Sequence, residues 1–390
     1  MATRVAQWSI GGVGRHALRA LVRSDDFELV GVYAHDQTRV GRDAGDLVGL
    51  GIETGIRATS DVDALLATEP ACVVYASTGE TRPKEAVGEI AAVLASGANV
   101  VSSSMMNLVY PPAAHPRATA ELAEACARGR STLFTSGIDP GFSGDALPLA
   151  ALQICARVDV VRVQELADYG THPDASWATP YGFGQPEGAP APLLAPGVPT
   201  LFWGGMVRML ADILGVELEG LEEFCERWYS PETFDVPMGR IEEGTLAAVR
   251  FGVAGIVGGS RRLVAEHVTR MRPDTAPLWP RPPAGMRSVH RVHIEGEPSL
   301  TLDLHLGGDG GGGGGGTGLL ATAMRLVNAI PAVVAAPPGL VTPLDLRLGT
   351  GRTLMPAGVR SGAPPPRPEA VTGIGRRRSS ARRHSGRRSR

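Results

Sequence analysis

A chain of 390 residues, 43% hydrophobic and 20% charged, has enough apolar material to bury a large core and divide into two domains. Cys72, Cys126, Cys155 and Cys225 are scattered without a CxxC pair, which argues for buried thiols in a reducing cytoplasm rather than disulfides or metal ligands. The net charge of −2 hides a basic end: from Arg360 to Arg390 ten arginines face one acid, Glu369, so these residues carry +9 and the rest −11. A nucleic-acid partner would rest on that end alone, no segment approaches an uninterrupted bilayer span, and the N-terminus lacks a signal-peptide layout.

The elements begin with a short apolar strand, Val5 to Trp8, a glycine-rich turn, a helix carrying Ala17, Leu18, Leu21 and Val22, and a second strand, Leu29 to Val32. This is the first βαβ unit of a dinucleotide-binding domain. The turn reads S-x-G-x-x-G, with Ser9 where the first glycine usually stands. Gly11 lets backbone approach a pyrophosphate and Gly14 lets the helix pack on the strand. Gly12 and Val13 begin the helix, whose free N–H groups receive the phosphates. After the second strand come His35, Asp36 and Arg39. The only acid lies about two residues beyond the position that holds the ribose of NAD. His35 and Arg39 can surround a 2′-phosphate, so NADP is the expected cofactor and NAD the alternative. A solvated charged turn is the plainer reading of the same residues.

Further strands are expected at 71–78, ending in Ser77 and Thr78, and at 98–104, containing Ser103. Helices follow at 84–95 and 117–128. Strands alternating with helices imply right-handed parallel crossovers, with cofactor and substrate at the carboxyl ends of the strands. Past Pro140 the pattern changes. We expect a helix at 145–154, a strand at 158–169, a covering loop at 173–200, and two amphipathic helices within 201–228 broken at Gly215 and Gly220. Strands at 245–257, 261–271, 287–294 and 299–306 then precede a helix at 319–329. The fold class is α/β, a Rossmann-type parallel sheet followed by an α+β open-sheet domain. The expected boundaries are 1–144 for cofactor, 145–318 for substrate and dimerisation, 319–357 returning to the first domain, and 358–390 as a disordered basic tail. The run Gly307 to Gly316 lacks the Gly-Lys-Ser/Thr ending of a phosphate loop and reads as a flexible connection.

Three segments can carry chemistry. SSSMMNLVYPP places Met105, Met106 and Asn107 at a strand end, the methionines as an adaptable apolar wall and Asn107 as a hydrogen-bonding group or loop cap. GIDPGFSGD offers Asp139, as a pocket carboxylate or a turn stabiliser. The third segment holds Glu165, Tyr169, His172 and Trp177 as a substrate wall, with Tyr169 and His172 as candidate proton carriers. His290 and His293 are three apart in a strand and point to opposite faces, and no HExxH or cysteine cluster accompanies them or His305, so no metal is expected.

WSIGGVGRHAL at 8–18, VGRDAGDLVG at 40–49, NVVSSSMMNLVYP at 99–111, GIDPGF at 137–142 and LLATAMRLVNAIPAVVAAPPGLVT at 319–342 together bracket nearly all of residues 1–355. In these pieces the chain resembles the dihydrodipicolinate-reductase-like family that includes 2,4-diaminopentanoate dehydrogenase and the native amine dehydrogenases. The resemblance implies an NAD(P) domain, a substrate domain that forms a homodimer, and reversible oxidative deamination; the methionines and aromatics of this chain suggest a small, mainly apolar amine or ketone as substrate. In reverse, ammonia and a ketone or aldehyde give an imine that accepts hydride. The family's deaminating members carry a glutamate after the fifth strand, where this chain has Met105, Met106 and Asn107. Asn107 can orient a nitrogen but supplies no charge. Ammonia-independent reduction of a carbonyl or cyclic unsaturated substrate, and cofactor sensing without turnover, remain the alternatives.

Overall fold

Short apolar strands alternating with helices build the first half of the chain. The computed structural model describes residues 2–172, 176, 178–307 and 316–347. In chain order the elements are β1 (Thr3–Trp8), α1 (Gly12–Arg23), β2 (Phe27–Tyr33), α2 (Ala44–Leu47), β3 (Ala58–Thr59), α3 (Val62–Leu66) and β4 (Cys72–Tyr75). They continue with α4 (Pro83–Ala95), β5 (Asn99–Ser102), α5 (Pro116–Gly129) and β6 (Thr132–Thr135). These six strands pair in parallel, in the order β6-β5-β4-β1-β2-β3. The order reverses between β1 and β4, the switch point where doubly wound sheets bind dinucleotides. The strands are buried on both faces, as a parallel sheet covered by helices requires.

After β6 a tight turn, Ile138–Phe142, leads to α6 (Ala146–Leu152) and β7 (Arg157–Asp168). Next come α7 (Ala178–Tyr181), α8 (Val198–Leu214), β8 (Gly220–Tyr229) and a ribbon of β9 (Phe234–Val236) with β10 (Gly239–Ile241). The long strands β11 (Leu246–Val257), β12 (Ser260–Arg270) and β13 (Val289–Glu297) and the shorter β14 (Leu300–Leu304) complete a mixed six-stranded sheet, ordered β14-β13-β7-β12-β11-β8. Helix α8 packs on its inner face against β11 and β12. The expected second helix within 201–228 is the edge strand β8. Leu221, Phe224, Cys225 and Trp228 have helical spacing, but a ladder to β11 from Gly220 to Tyr229 fixes the segment as strand, tertiary pairing overriding local pattern.

Helix α9 (Gly316–Val334) returns to pack against α1 and the first sheet, and β15 (Gly339–Val341) adds a seventh parallel strand beside β6. At 19 residues, with a mean hydropathy of 1.5, α9 is long and apolar enough to cross a bilayer, contrary to the sequence expectation. Its Ala323, Leu326, Val327, Ile330 and Val333 lie instead in the core with Val5, Leu21, Val74 and Phe134, the placement of a buried helix. Cys72 and Cys126 are buried and Cys155 partly so, but Cys225 on the edge strand is exposed.

Candidate active site

The carboxyl edge of the parallel sheet brings Ser9, Ser77, Ser103 and Asp139 onto neighbouring strand ends, because β1, β4, β5 and β6 are adjacent. Ser9 adopts φ 73°, the left-handed conformation that the usual glycine would take. A side chain on Gly14 would meet the Ser9 carbonyl at 2.3 Å, so this glycine is required where α1 approaches β1. Gly11 caps α1 with open space around its missing Cβ, and no side chain caps the helix. The N–H groups of Gly12, Val13 and Gly14 therefore begin α1 without intrahelical acceptors. The turn fits a diphosphate.

His35 and Arg39 both follow β2 but diverge. Arg39 reaches back over the glycine turn to the Ile10 carbonyl at 2.6 Å and pairs with Asp36 at 3.1 Å. His35 turns across β1 to Ser77, 3.4 Å away, and Arg82, at 3.5 Å. Arg82 also donates to Ser77 Oγ at 2.8 Å and is held by Glu89 at 2.7 Å. Ser77 thus faces the β2 side of the edge, between His35 and Arg82. Thr78, exposed, offers its carbonyl to Arg82. Arg82 escaped the sequence reading because nothing local ties it to His35, 47 residues away.

Met105, Met106 and Asn107 line a cavity of about 750 Å³ with Glu80, Leu201 and Phe202. Met105 has φ 59°, and Glu80 accepts a hydrogen bond from the Met106 N–H at 3.3 Å. The same wall also carries Lys84, Arg117 and Glu121, so apolar and charged side chains share it. Asp139, Glu165 and Tyr169 do not line this cavity; they belong to a second group.

That group forms where the turn after β6 meets the inner face of the mixed sheet. His290, Glu165 and His267 are direct register partners on β13, β7 and β12, so they lie in one row across three strands, with Phe251 of β11 next in line. All four side chains are buried. Asp139 enters from the turn: its Oδ2 is 3.1 Å from His267 Nε2, and its Oδ1 accepts from Trp203 Nε1 of α8 at 3.1 Å. Phe251 stacks on His267 at 5.0 Å, and Trp203 covers the imidazole at 4.3 Å. Tyr169 and Tyr181 pack edge-to-face beside Glu165, and Tyr169 lies 6.4 Å from the His172 ring. Trp177 lies outside the described residues.

The electrostatics divide the two carboxyl groups. Burial alone would raise Asp139, but the charges of His267 and His290 and the hydrogen bonds from His267 and Trp203 hold it below the ordinary carboxylate range. Burial likewise pushes His267 down, and the Asp139 carboxylate, aided by Glu165 and Glu266, more than reverses this, lifting the imidazole above its usual 6.5. Glu165 stays above its ordinary value because burial, aided by the Asp139 charge, outweighs the attraction of His290 and His267. Among the described residues, Nδ1 of His267 and both ring nitrogens of His290 are buried without hydrogen-bond partners. Asp139, Glu165 and His267 could also offer a metal three ligand atoms within 4.8 Å of one another. The sequence pattern offers His290, His293, His305 and scattered cysteines as metal candidates, and not this group. His293 indeed faces the other way, toward Thr301.

Over 344 residues the chain is 41% identical to an amine dehydrogenase of Streptomyces virginiae, covering 87% of this chain and 95% of that protein. The chain belongs to the amine dehydrogenase family. Residues 202–357 match the family described as 2,4-diaminopentanoate dehydrogenase C-terminal domain. The 2,4-diaminopentanoate dehydrogenase of Acetoanaerobium sticklandii is 24% identical over 358 residues, 88% of this chain and 93% of that one. In fold the chain resembles the amine dehydrogenase of Mycobacterium smegmatis, with a TM-score of 0.70 at 21% identity over 90% of this chain and 98% of that one. The protein is therefore an enzyme, an oxidoreductase acting on amines.

Asp139, Glu165 and Tyr169 come together, while Asn107 stands on the separate cavity with Met105 and Met106. His267, His290 and Trp203 are the additions. Within VAEHVTR, His267 looks like an ordinary alternating core position, and only the pairing register brings it to Glu165.

Proposed function

We propose that this amine dehydrogenase is NADP-preferring and interconverts a small, mainly apolar primary amine with its ketone or aldehyde and ammonia, as a cytoplasmic homodimer. The observation that carries the reading is the buried Asp139–His267 pair beside the carboxyl edge of the parallel sheet. It provides the negative charge that Met105, Met106 and Asn107 lack.

A bound nicotinamide would take or give the hydride. Ser9 to Gly14 fit its diphosphate, while Arg39 and Arg82 offer positive charge near His35 at the end of β2, which supports NADP over NAD. Asp139, held ionised, faces the cationic nitrogen of an ammonium or iminium substrate in a site where water does not screen it. His267, once neutral, accepts the proton that an entering ammonium group must lose. Met105, Met106 and Phe202 hold alkyl substituents, and Asn107 orients the substrate. One feature favours reduction of a carbonyl without ammonia: a protonated His267 can donate to a carbonyl oxygen as readily as it can serve an amine.

The test follows NADPH and NADH oxidation with small ketones and aldehydes, with and without ammonium, and repeats the active combination with a metal chelator. Ammonium-dependent oxidation that yields the amine, faster with NADPH and insensitive to the chelator, is expected. Oxidation without ammonium assigns a carbonyl reductase. Loss of turnover on chelation would turn Asp139, Glu165 and His267 into metal ligands.

A further inference from the structure

A guanidinium enclosed in a protein needs an anion, because a buried charge left without one is costly. Arg270, the last residue of β12, is only 3% exposed. Its Nε donates to the Thr275 carbonyl at 3.0 Å, and its Nη2 to those of Ala276 at 3.4 Å and Trp279 at 3.2 Å. Among the described residues its Nη1 is buried with no hydrogen-bond partner. Arg270 lines a cavity of about 420 Å³ together with Asp168 and the exposed Arg281 and Arg287. We propose that this cavity binds a phosphate group, free or carried by a small monoester, whose oxygens accept from Arg270 Nη1 and pair with Arg281 and Arg287. The site is separate from the amine site, and the proposal does not depend on the amine reading.

Charge and shape both favour this ligand. Three guanidinium groups line the cavity against one carboxylate, Asp168, so two positive charges remain uncompensated there. Asp168 is the register partner of Arg270 on β7, yet its ion pair is with Arg287, at 3.3 Å. Asp274, the other acid close to Asp168, is engaged by Arg272. Burial, with the neighbouring Arg281 charge, pulls the Arg270 guanidinium down to about 10, a direction that a bound anion reverses. The planar fork of an arginine matches two phosphate oxygens, and a multiply charged group can be shared among several such forks. Pro273, Pro282 and Pro283 stiffen the wall, which lowers the cost of ordering it around a ligand. The cavity is larger than a phosphate alone fills, leaving room for an attached organic group. Asp168 and Arg270 lie three residues beyond Glu165 and His267 on the same strands, and so point to the opposite face of the sheet. A bound phosphate ties the end of β12, through Arg270, to the segment that leads into β13, through Arg281 and Arg287.

Calorimetric titration of the full chain, with inorganic phosphate and separately with glycerol 3-phosphate, tests the site. Saturating NADP keeps the phosphates out of the cofactor turn, and chloride holds the ionic strength constant. About one phosphate per chain should bind, and the melting temperature should climb with its concentration. Arg281→Glu, an exposed change, should weaken binding by about tenfold or more and leave phosphate-free turnover as it was. Asp168→Asn keeps an acceptor for the Gly170 N–H and removes the opposing charge, so it should tighten binding several-fold. Arg270→Lys keeps a charge but loses the fork and should weaken binding; should it fold poorly, the other two variants still decide. Tighter binding of glycerol 3-phosphate assigns a monoester, tighter binding of inorganic phosphate assigns the free ion, and either supports the site. Binding of neither overturns the proposal. So does binding that Arg281→Glu and Asp168→Asn leave unchanged, which would place the phosphate on the basic residues 360–390. Loss of a dimer on Arg281→Glu, in a protein that binds no phosphate, would give the cavity to a contact between chains and also overturn it.

Discussion

Asp139 and His267 each hold the other's charge, and their pH behaviour follows from that. His267 binds its proton more tightly in the fold than its usual 6.5, so amine oxidation, which needs the neutral imidazole, should rise with pH along a limb whose midpoint lies above 6.5. Asp139→Asn removes the largest lifting charge and leaves burial, which pushes His267 down, against only the weaker pulls of Glu165 and Glu266. The limb should therefore move to lower pH while kcat falls by about 100-fold. A limb that stays in place assigns the titration to another group. Stability gives the complementary sign. The lift on His267 contributes fully below 6.5 and fades as pH rises through the raised value, whereas the lowered Asp139 contributes above 3.8 and fades as pH falls. Urea unfolding of wild type and Asp139→Asn should differ most between these limits. In the sequence Asp139 and Glu165 could be singled out, since acids at strand ends and tight turns stand out. His267 and His290 could not, because their meaning lies in a register set by three strands distant in the chain.

The turn joining β1 to α1 is the element most legible in the sequence, and it departs from the usual pattern in one atom group. Ser9 occupies the left-handed region without being glycine. A non-glycine residue there costs roughly 1–2 kcal/mol, of which the extra freedom of an unfolded glycine would return about 0.4–1 kcal/mol. Ser9→Gly should thus stabilise the protein by about 0.5–1 kcal/mol in denaturant unfolding, with cofactor affinity retained. Destabilisation would mean that the serine hydroxyl makes a contact worth more than the strain. Gly14→Ala is the opposite case: its methyl would overlap the Ser9 carbonyl, displace α1 and weaken both fold and cofactor binding. Elements were readable wherever local pattern and tertiary role agreed, as in α4, α5, β11 and β12. They were unreadable in β8, whose apolar residues follow helical spacing but whose backbone pairs with β11. Trp203 was hidden for a related reason, since in α8 it resembles any aromatic on an inward helical face.

At the scale of the whole molecule, alternation of strand and helix announced the parallel sheet, and the later strands announced a second, open one. What local pattern could not announce is how the open sheet's two faces divide their work. Its inner face carries the row from His290 to Phe251. Its outer face carries Glu266, buried beneath Arg250 at 2.6 Å and Arg162 at 3.3 Å, with Arg261 over Phe224 at 5.6 Å and paired with Glu222. Interleaved arginines and glutamates on one surface are self-complementary under a two-fold rotation, which suits the isologous contact of a homodimer. We therefore expect sedimentation to show a dimer that joins through this face. Phe224→Asp, on the edge strand and away from the inner row, should weaken it at least tenfold, about 1.4 kcal/mol, while leaving the circular dichroism and the turnover per site unchanged. Turnover should survive because His290, Glu165, His267 and Asp139 all come from one chain. A dimer insensitive to Phe224→Asp would move the contact to another surface, and loss of turnover on dissociation would show that the second subunit shapes the site.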